Sequence, residues 1–349
     1  MLDSSHPGKT RGNCGSCTVC EAGVNAKKHF TKPLDREDGT PHNITKMFSL
    51  LRRLPSALAL TVAICGCGGD NRSRAGSLIG IRLSAIERGT LFIASEKLTD
   101  AELAEILADP RVPPLTELSL HNNALSAASV RMIAASPKSQ ALGVLHLGHN
   151  PIGDEGVALL AASPAVQSLR LLSLGRVGMT GKGLHALASS PQAARIALFE
   201  LRFQNLGADA AVLAETPRDE LLLQQTGIDG PTAVSLLRTA RVKTLELKEN
   251  PIRSLGGLDA ISTPLVSIDL SMCELTDISI LTEARAPSLQ EMELDYNPLG
   301  DRGLHALAQA RWLRQIRFLS VMGAKASREA RQALRVAWGE RPGLTLEEN

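Results

Sequence analysis

Residues 144–161 read VLHLGHNPIGDEGVALLA. Leu145, Leu147 and Ile152 alternate as in a strand, and Val157 and Leu160 then follow at helical spacing. Between the two stands Asn150, an amide wedged among apolar residues. A single copy gives no reason for a polar residue there, so the question is whether the chain repeats the unit.

It does, from residue 88 onward, in one frame. An apolar residue stands at positions 1, 4, 6 and 11, and a polar one at position 9. LTELSLHNNAL starts at Leu115, LGVLHLGHNPI at Leu142, LRLLSLGRVGM at Leu169, VKTLELKENPI at Val242, LVSIDLSMCEL at Leu265 and LQEMELDYNPL at Leu289. Weaker copies start at Arg88, Leu198, Arg218 and Leu313. Starts are then 27, 27, 27, 29, 20, 24, 23, 24 and 24 residues apart. A period of about 20–30 residues marks a solenoid, in which each short unit seals the apolar side of its neighbour.

The pattern resembles the leucine-rich repeat family, L-x-x-L-x-L-x-x-N/C-x-L, over about residues 88–349. The resemblance implies an α/β solenoid, a horseshoe or arc of nine to ten repeats, with a parallel sheet on the concave face and helices and turns on the convex face. The first half, with its Gly-Asp-Glu-Gly and Ala-Leu-Leu-Ala segments, looks like the ribonuclease-inhibitor subtype. The repeats at 242 and 265 look like the shorter bacterial subtypes. Position 9 holds Asn123, Asn150, Asn250 and Asn297. Thr226 and Cys273 sit at the same place, and Asn205 falls one residue early in a repeat that has lost a residue. The chain must turn off each strand there, and a side-chain amide donates and accepts at once. Stacked amides therefore predict a structural ladder, with Cys273 as the family's own alternative. Val177 and Val321 break the rule and predict local irregularity.

The return path after position 11 reads as helical in the longer repeats. Thr99 and Glu102 form a capping box before Leu103, Ile106 and Leu107. GLHALA occurs at 183–188 and 303–308, and its spacing turns His185 and His305 outward. Wider return paths before residue 198 predict stronger curvature there than between 218 and 289. The end layers need caps. Residues 78–83 (LIGIRL) read as an opening strand. Ala330, Ala333, Leu334, Ala337 and Trp338 mark one face of a closing helix, ended by Gly339, and Leu344 and Leu346 read as a closing strand.

The chain has 349 residues, of which 44% are hydrophobic but only 3% aromatic, so stacked thin layers suit it better than one large core. Residues 1–66 carry 9 Lys/Arg and 5 Asp/Glu, and the remainder 29 and 31, so the basic excess lies in the N-terminal segment. No basic field speaks for nucleic acid. Residues 1–46 read as a disordered or untranslated extension. Residues 47–67 have the build of a secretory signal: Arg52 and Arg53, an apolar run, then small residues and cysteines. The uncharged stretch 54–69 is shorter than the roughly 20 residues a membrane span needs. Ile64-Cys65-Gly66-Cys67 resembles a bacterial lipobox, which implies acylation at Cys67 (Cys65 being the weaker choice) and outer-membrane sorting by the Gly68 that follows. Residues 68–77 read as a linker, and 78–349 as the repeat domain with its caps. Cys14, Cys17 and Cys20 have partial iron–sulfur spacing but lack the fourth cysteine and the proline.

Positions 3, 5 and 7 of each repeat alternate with the buried 4 and 6, with position 8 beside them. The late repeats there display Glu246, Lys248, Glu249, Asp269, Glu291, Glu293, Asp295 and Tyr296, an acidic face with an aromatic in its middle. Gln204 is read as displayed in the middle repeats. This predicts docking of a basic protein partner. His121, His146 and His149 lie on neighbouring strands but at different heights, without a carboxylate or cysteine to complete a metal site. No phosphate-binding or nucleophile-elbow motif occurs. The reading is a non-catalytic interaction module without cofactor, metal or small-molecule substrate, exported and tethered at a bacterial envelope. The alternative is a cytosolic regulator resembling ribonuclease inhibitor or a Ran-type GTPase activator.

Overall fold

The computed structural model describes residues 89–262 and 264–347. The extension, the signal segment with Cys67, the linker and the 78–83 strand lie outside the described residues. Among the described residues, eleven parallel strands form one sheet in strictly sequential order. They are β1 (Thr90–Phe92), β2 (Glu117–Ser119), β3 (Val144–His146), β4 (Leu171–Ser173), β5 (Leu198–Glu200), β6 (Arg218–Leu222), β7 (Val242–Glu246), β8 (Ser267–Asp269), β9 (Glu291–Glu293), β10 (Phe318–Val321) and β11 (Leu344–Leu346). The helical return segments are α1 (Asp100–Ala108), α2 (Ala127–Ala135), α3 (Gly153–Ala161), α4 (Gly181–Ala188), α5 (Gly230–Thr239), α6 (Gly300–Gln309) and α7 (Arg328–Trp338). The repeats starting at 242 and 265 return without an α-helix, through turns and a short 3-10 segment at Ser279–Thr282.

Pairing fixes the frame. Leu118, Leu145, Leu172 and Phe199 stand in one row, followed by Leu221, Leu245, Ile268, Met292 and Leu319. All are at position 4 and all are buried. Two starts read from the sequence shift accordingly. With Phe199 at position 4, the fifth repeat begins at Ile196, not Leu198, and has lost no residue. With Leu319 at position 4, the last begins at Ile316, not Leu313. Val321 is therefore an ordinary core residue at position 6, and position 9 of that repeat is Ala324.

The far end is closed by α7 and β11. Ala330, Leu334 and Trp338 of α7 are buried, and Gly339 ends the helix at φ 79°. Arg341 stacks on Trp338 at 4.0 Å and donates to the carbonyls of Leu313, Arg314 and Ile316. This satisfies backbone groups that would otherwise be exposed at the last turn.

Each strand leaves the sheet through one device. Position 8 is left-handed in every described repeat, from Ser95 (φ 60°) and Asn122 (φ 57°) to Tyr296 (φ 57°) and Gly323 (φ 66°). Its N–H donates to the position-7 carbonyl of the next layer, as Asn122 to Gly148 (2.8 Å) and Tyr296 to Met322 (2.6 Å). The chain then turns inward, so position 9 is aimed into the stack.

Candidate functional site

At position 9 the amides stitch layers together. Asn150 Oδ1 accepts from the N–H of Asn123 (3.2 Å) and of Leu125 (3.1 Å) in the layer before, while its Nδ2 donates to the carbonyls of Leu120 and Leu147. Asn123, Asn250 and Asn297 do the same for their preceding layers. Asn150, Asn250 and Asn297 are buried, while Asn123 is half-buried. In the fifth repeat this place belongs to Gln204, not Asn205. Gln204 is buried, accepts from Met179 N–H (3.0 Å) and donates to Leu174 O (2.9 Å), so it is not on display, whereas Asn205 is exposed. Cys273 is buried, its thiol contacts Leu247 O at 3.2 Å, and burial pushes its pKa up to about 12.

The outward sheet face carries the acidic residues. Glu246, Asp269 and Glu293 stand directly opposite one another on β7, β8 and β9. Their individual states differ. Glu246 is only 5% exposed and is gripped by Arg202 at 2.8 Å from two strands away, so it is not displayed as the alternation predicts. Glu249 accepts from Gln224 Nε2 (2.8 Å), Asp269 from Ser271 N–H (2.9 Å), and Asp295 from Ser320 Oγ and Met322 N–H (both 2.7 Å). Glu291 is exposed, and Lys248 and Glu293 are half-buried. Tyr296 is 59% exposed, and its ring lies against Gly323, where an added Cβ would come within 2.7 Å of it.

Tyr296 belongs to a ridge that the sequence reading incompletely recovers. At position 8, Phe203 is 36% exposed beside His149 and Arg176, and Met272, three layers further on, is 40% exposed. Bulky side chains rarely adopt the left-handed region, so Phe203, Met272 and Tyr296 are unusual there; Gln225 and Glu249 separate Phe203 from the adjacent pair Met272 and Tyr296. The signal for Phe203 was available: it occupies the same frame position as Tyr296 once the fifth repeat starts at Ile196.

His121 and His146 are half-buried near each other, and burial lowers the pKa of both; His146 and His149 add to this at His121, whereas Glu200 and Glu117 oppose it at His146. His185 and His305 are exposed, bonding Asp209 and the Asp301 carbonyl. Among the described residues no three His, Cys, Asp or Glu side chains are placed to hold a metal, and no helix is long and apolar enough to cross a membrane.

The sequential parallel sheet with position-9 amides is a leucine-rich repeat solenoid. Consistent with this, a family model described as "Leucine Rich repeat" matches residues 138–161 and 285–308. The chain is similar to the solved structure of the yeast Rad7 and Elc1 complex, with 15% identity, 96% of this chain and 86% of that chain covered, and a TM-score of 0.38. It is also similar to the leucine-rich repeat protein LIC12759 of Leptospira interrogans, with 14% identity, 72% and 82% coverage, and a TM-score of 0.28. No curated protein sequence matches it significantly. Leucine-rich repeat domains generally mediate protein–protein interaction and are typically non-catalytic.

Proposed function

We propose that this chain is a non-catalytic protein-binding module, tethered at a bacterial envelope by an acylated Cys67, that docks a basic protein segment across β7–β9. The carrying observation is the row Glu246–Asp269–Glu293 in direct register beneath the exposed Met272 and Tyr296. A row of carboxylates across adjacent strands complements a basic segment electrostatically, which favours its approach and its register. The aromatic and thioether groups alongside supply the desolvated contact that hot spots require. Arg202 already neutralises Glu246 from the β5 side, which favours a docking centre nearer Asp269, Glu293 and Tyr296.

A photo-cross-linker at position 296 in the native cell tests the docking. The expected outcome is a specific basic partner whose binding weakens steeply with salt and disappears in Asp269→Lys/Glu293→Lys. Capture of that partner unaffected by the double charge reversal contradicts the surface. Mass spectrometry of the native N-terminus tests the tether. A start at acylated Cys67 supports it, and a start at Met1 or uncleaved Met47 refutes it in favour of the cytosolic alternative.

A further inference from the structure

Position 1 lies two residues before the strand in most repeats and opens the strand in β6 and β7, and Leu169, Ile196, Val242 and Leu265 fill it as buried aliphatics around β4–β8. The sixth repeat places Arg218 there. Arg218 is 7% exposed, and its guanidinium stacks on the buried ring of Phe199 at 4.1 Å. That contact uses the flat face of the group. Its in-plane Nε and Nη1 are closed off from solvent and have no hydrogen-bond partner. A long cationic side chain at a core edge ordinarily lays its stem over apolar surface and keeps its head in water; here the head is withdrawn as well. Burial pulls its pKa down to about 10, with no carboxylate among the described residues offsetting it.

Arg218 lines an open cleft of about 440 Å³ at the entry ends of β5–β7, together with Arg195, Pro217, Asp219, Arg241 and Lys243. Asp219 is engaged by Lys243 at 2.7 Å. Four cations thus surround one carboxylate that is already in use. The cleft sits at the opposite strand ends from the position-8 ridge, so it is independent of the docking surface.

We propose that this cleft binds an oxyanion of the phosphate class, with Arg218 as its buried charge and Arg195, Arg241 and Lys243 as its rim. A buried charge without a partner is strongly unfavourable, and an anion in the cleft that Arg218 lines compensates that charge at close range, where low dielectric strengthens the attraction. A phosphoryl group offers three strong acceptor oxygens and close to two charges, enough for several of these cations at once, whereas a carboxylate matches one. The anion is either free phosphate or pyrophosphate, or a phosphoryl ester on a soluble molecule.

Thermal unfolding of the full chain in chloride, acetate, phosphate, pyrophosphate and glycerol 3-phosphate, at matched ionic strength and pH, tests this. The expected result is a saturable rise in midpoint with the phosphate-class anions beyond that in chloride or acetate. A response to glycerol 3-phosphate equal to that for pyrophosphate assigns the ester source, and a response to the free anions alone assigns the free source. Arg218→Leu restores the aliphatic of the other repeats, so it should abolish the phosphate-specific rise while unfolding no lower than wild type in chloride. Arg241→Ala/Lys243→Ala, which touches no core position, should weaken the anion's apparent affinity at least tenfold and remains the test if Arg218→Leu does not fold. Equal midpoints in all salts, a phosphate response retained by Arg218→Leu, or one unchanged in the rim double variant overturns the proposal.

Discussion

The turns of this solenoid close in two ways, and the choice is made one layer away. Where the next layer offers an amide at position 9, as for the turns at 96–98, 123–125 and 226–228, that amide accepts the N–H groups at positions 9 and 11. Position 12 is then extended, and Thr99, Ser126, Thr180 and Asp229 there cap the helices that follow. Where the next layer offers Val177, Thr226, Cys273 or Ala324, backbone carbonyls take over. Gly153 N–H bonds Val177 O (2.8 Å), Gly207 N–H bonds Thr226 O (3.0 Å), Arg253 N–H bonds Cys273 O (3.0 Å) and Gly300 N–H bonds Ala324 O (2.8 Å). To aim that N–H across the gap, position 12 becomes left-handed, at φ 66°, 51°, 60° and 59° for Gly153, Gly207, Arg253 and Gly300. The helices α3 and α6 accordingly start without a side-chain cap. One residue in layer n + 1 therefore sets the backbone, and so the residue type, three positions past the turn in layer n.

The largest way to break this contrast is Asn150→Ala. It strands two N–H groups and removes the donor to two carbonyls, and a buried unmet group costs about 1–3 kcal/mol. We expect a loss of about 3 kcal/mol in urea unfolding, given that neighbouring losses do not add fully. Gly300→Ala comes next. The space for a Cβ is open, so its cost is the left-handed conformation alone, about 1–2 kcal/mol, and an equal unfolding midpoint would contradict the assignment of that turn. The converse change is smaller: Arg253→Gly relieves the same strain but frees the unfolded chain, for a net gain of about 0.5 kcal/mol, despite the loss of an exposed pair with Glu274.

The smallest effect is in pH. Asp100 and Asp154 each receive the position-12 N–H and hydroxyl of a following repeat, Ser126 and Thr180. Partial burial pulls both pKa values up, but these hydrogen bonds outweigh it and leave both below the ordinary carboxylate value. A depressed folded pKa contributes stability that is present above the unfolded value near 4 and lost as pH falls through the folded one. The urea midpoint should therefore drop between pH 5 and pH 3, and Asp100→Asn/Asp154→Asn should flatten that drop.

Much of the architecture was legible because its period is short and its core is leucine: positions 4 and 6 could be placed in most repeats from spacing alone. The two misplaced frames share one cause. Leu198 and Leu313 are leucines near true starts held by isoleucine, and only strand pairing distinguishes Ile196 and Ile316 from them. That shift concealed both the inward role of Gln204 and the outward Phe203. The burial of Glu246 was illegible for a different reason. Alternation assigns its face correctly, but Arg202, 44 residues earlier, covers and pairs it. Arg218 showed in the sequence as an imperfect first position; the cleft around it needed three return paths brought together.

Residue-resolved hydrogen exchange on wild type and Asn150→Ala tests the central claim most directly. The account predicts that protection at the Asn123 and Leu125 amides collapses in the variant, while Gly153, whose N–H is held by the Val177 carbonyl, keeps its protection. Unchanged exchange at Asn123 and Leu125, or a uniform loss that includes Gly153, would contradict it.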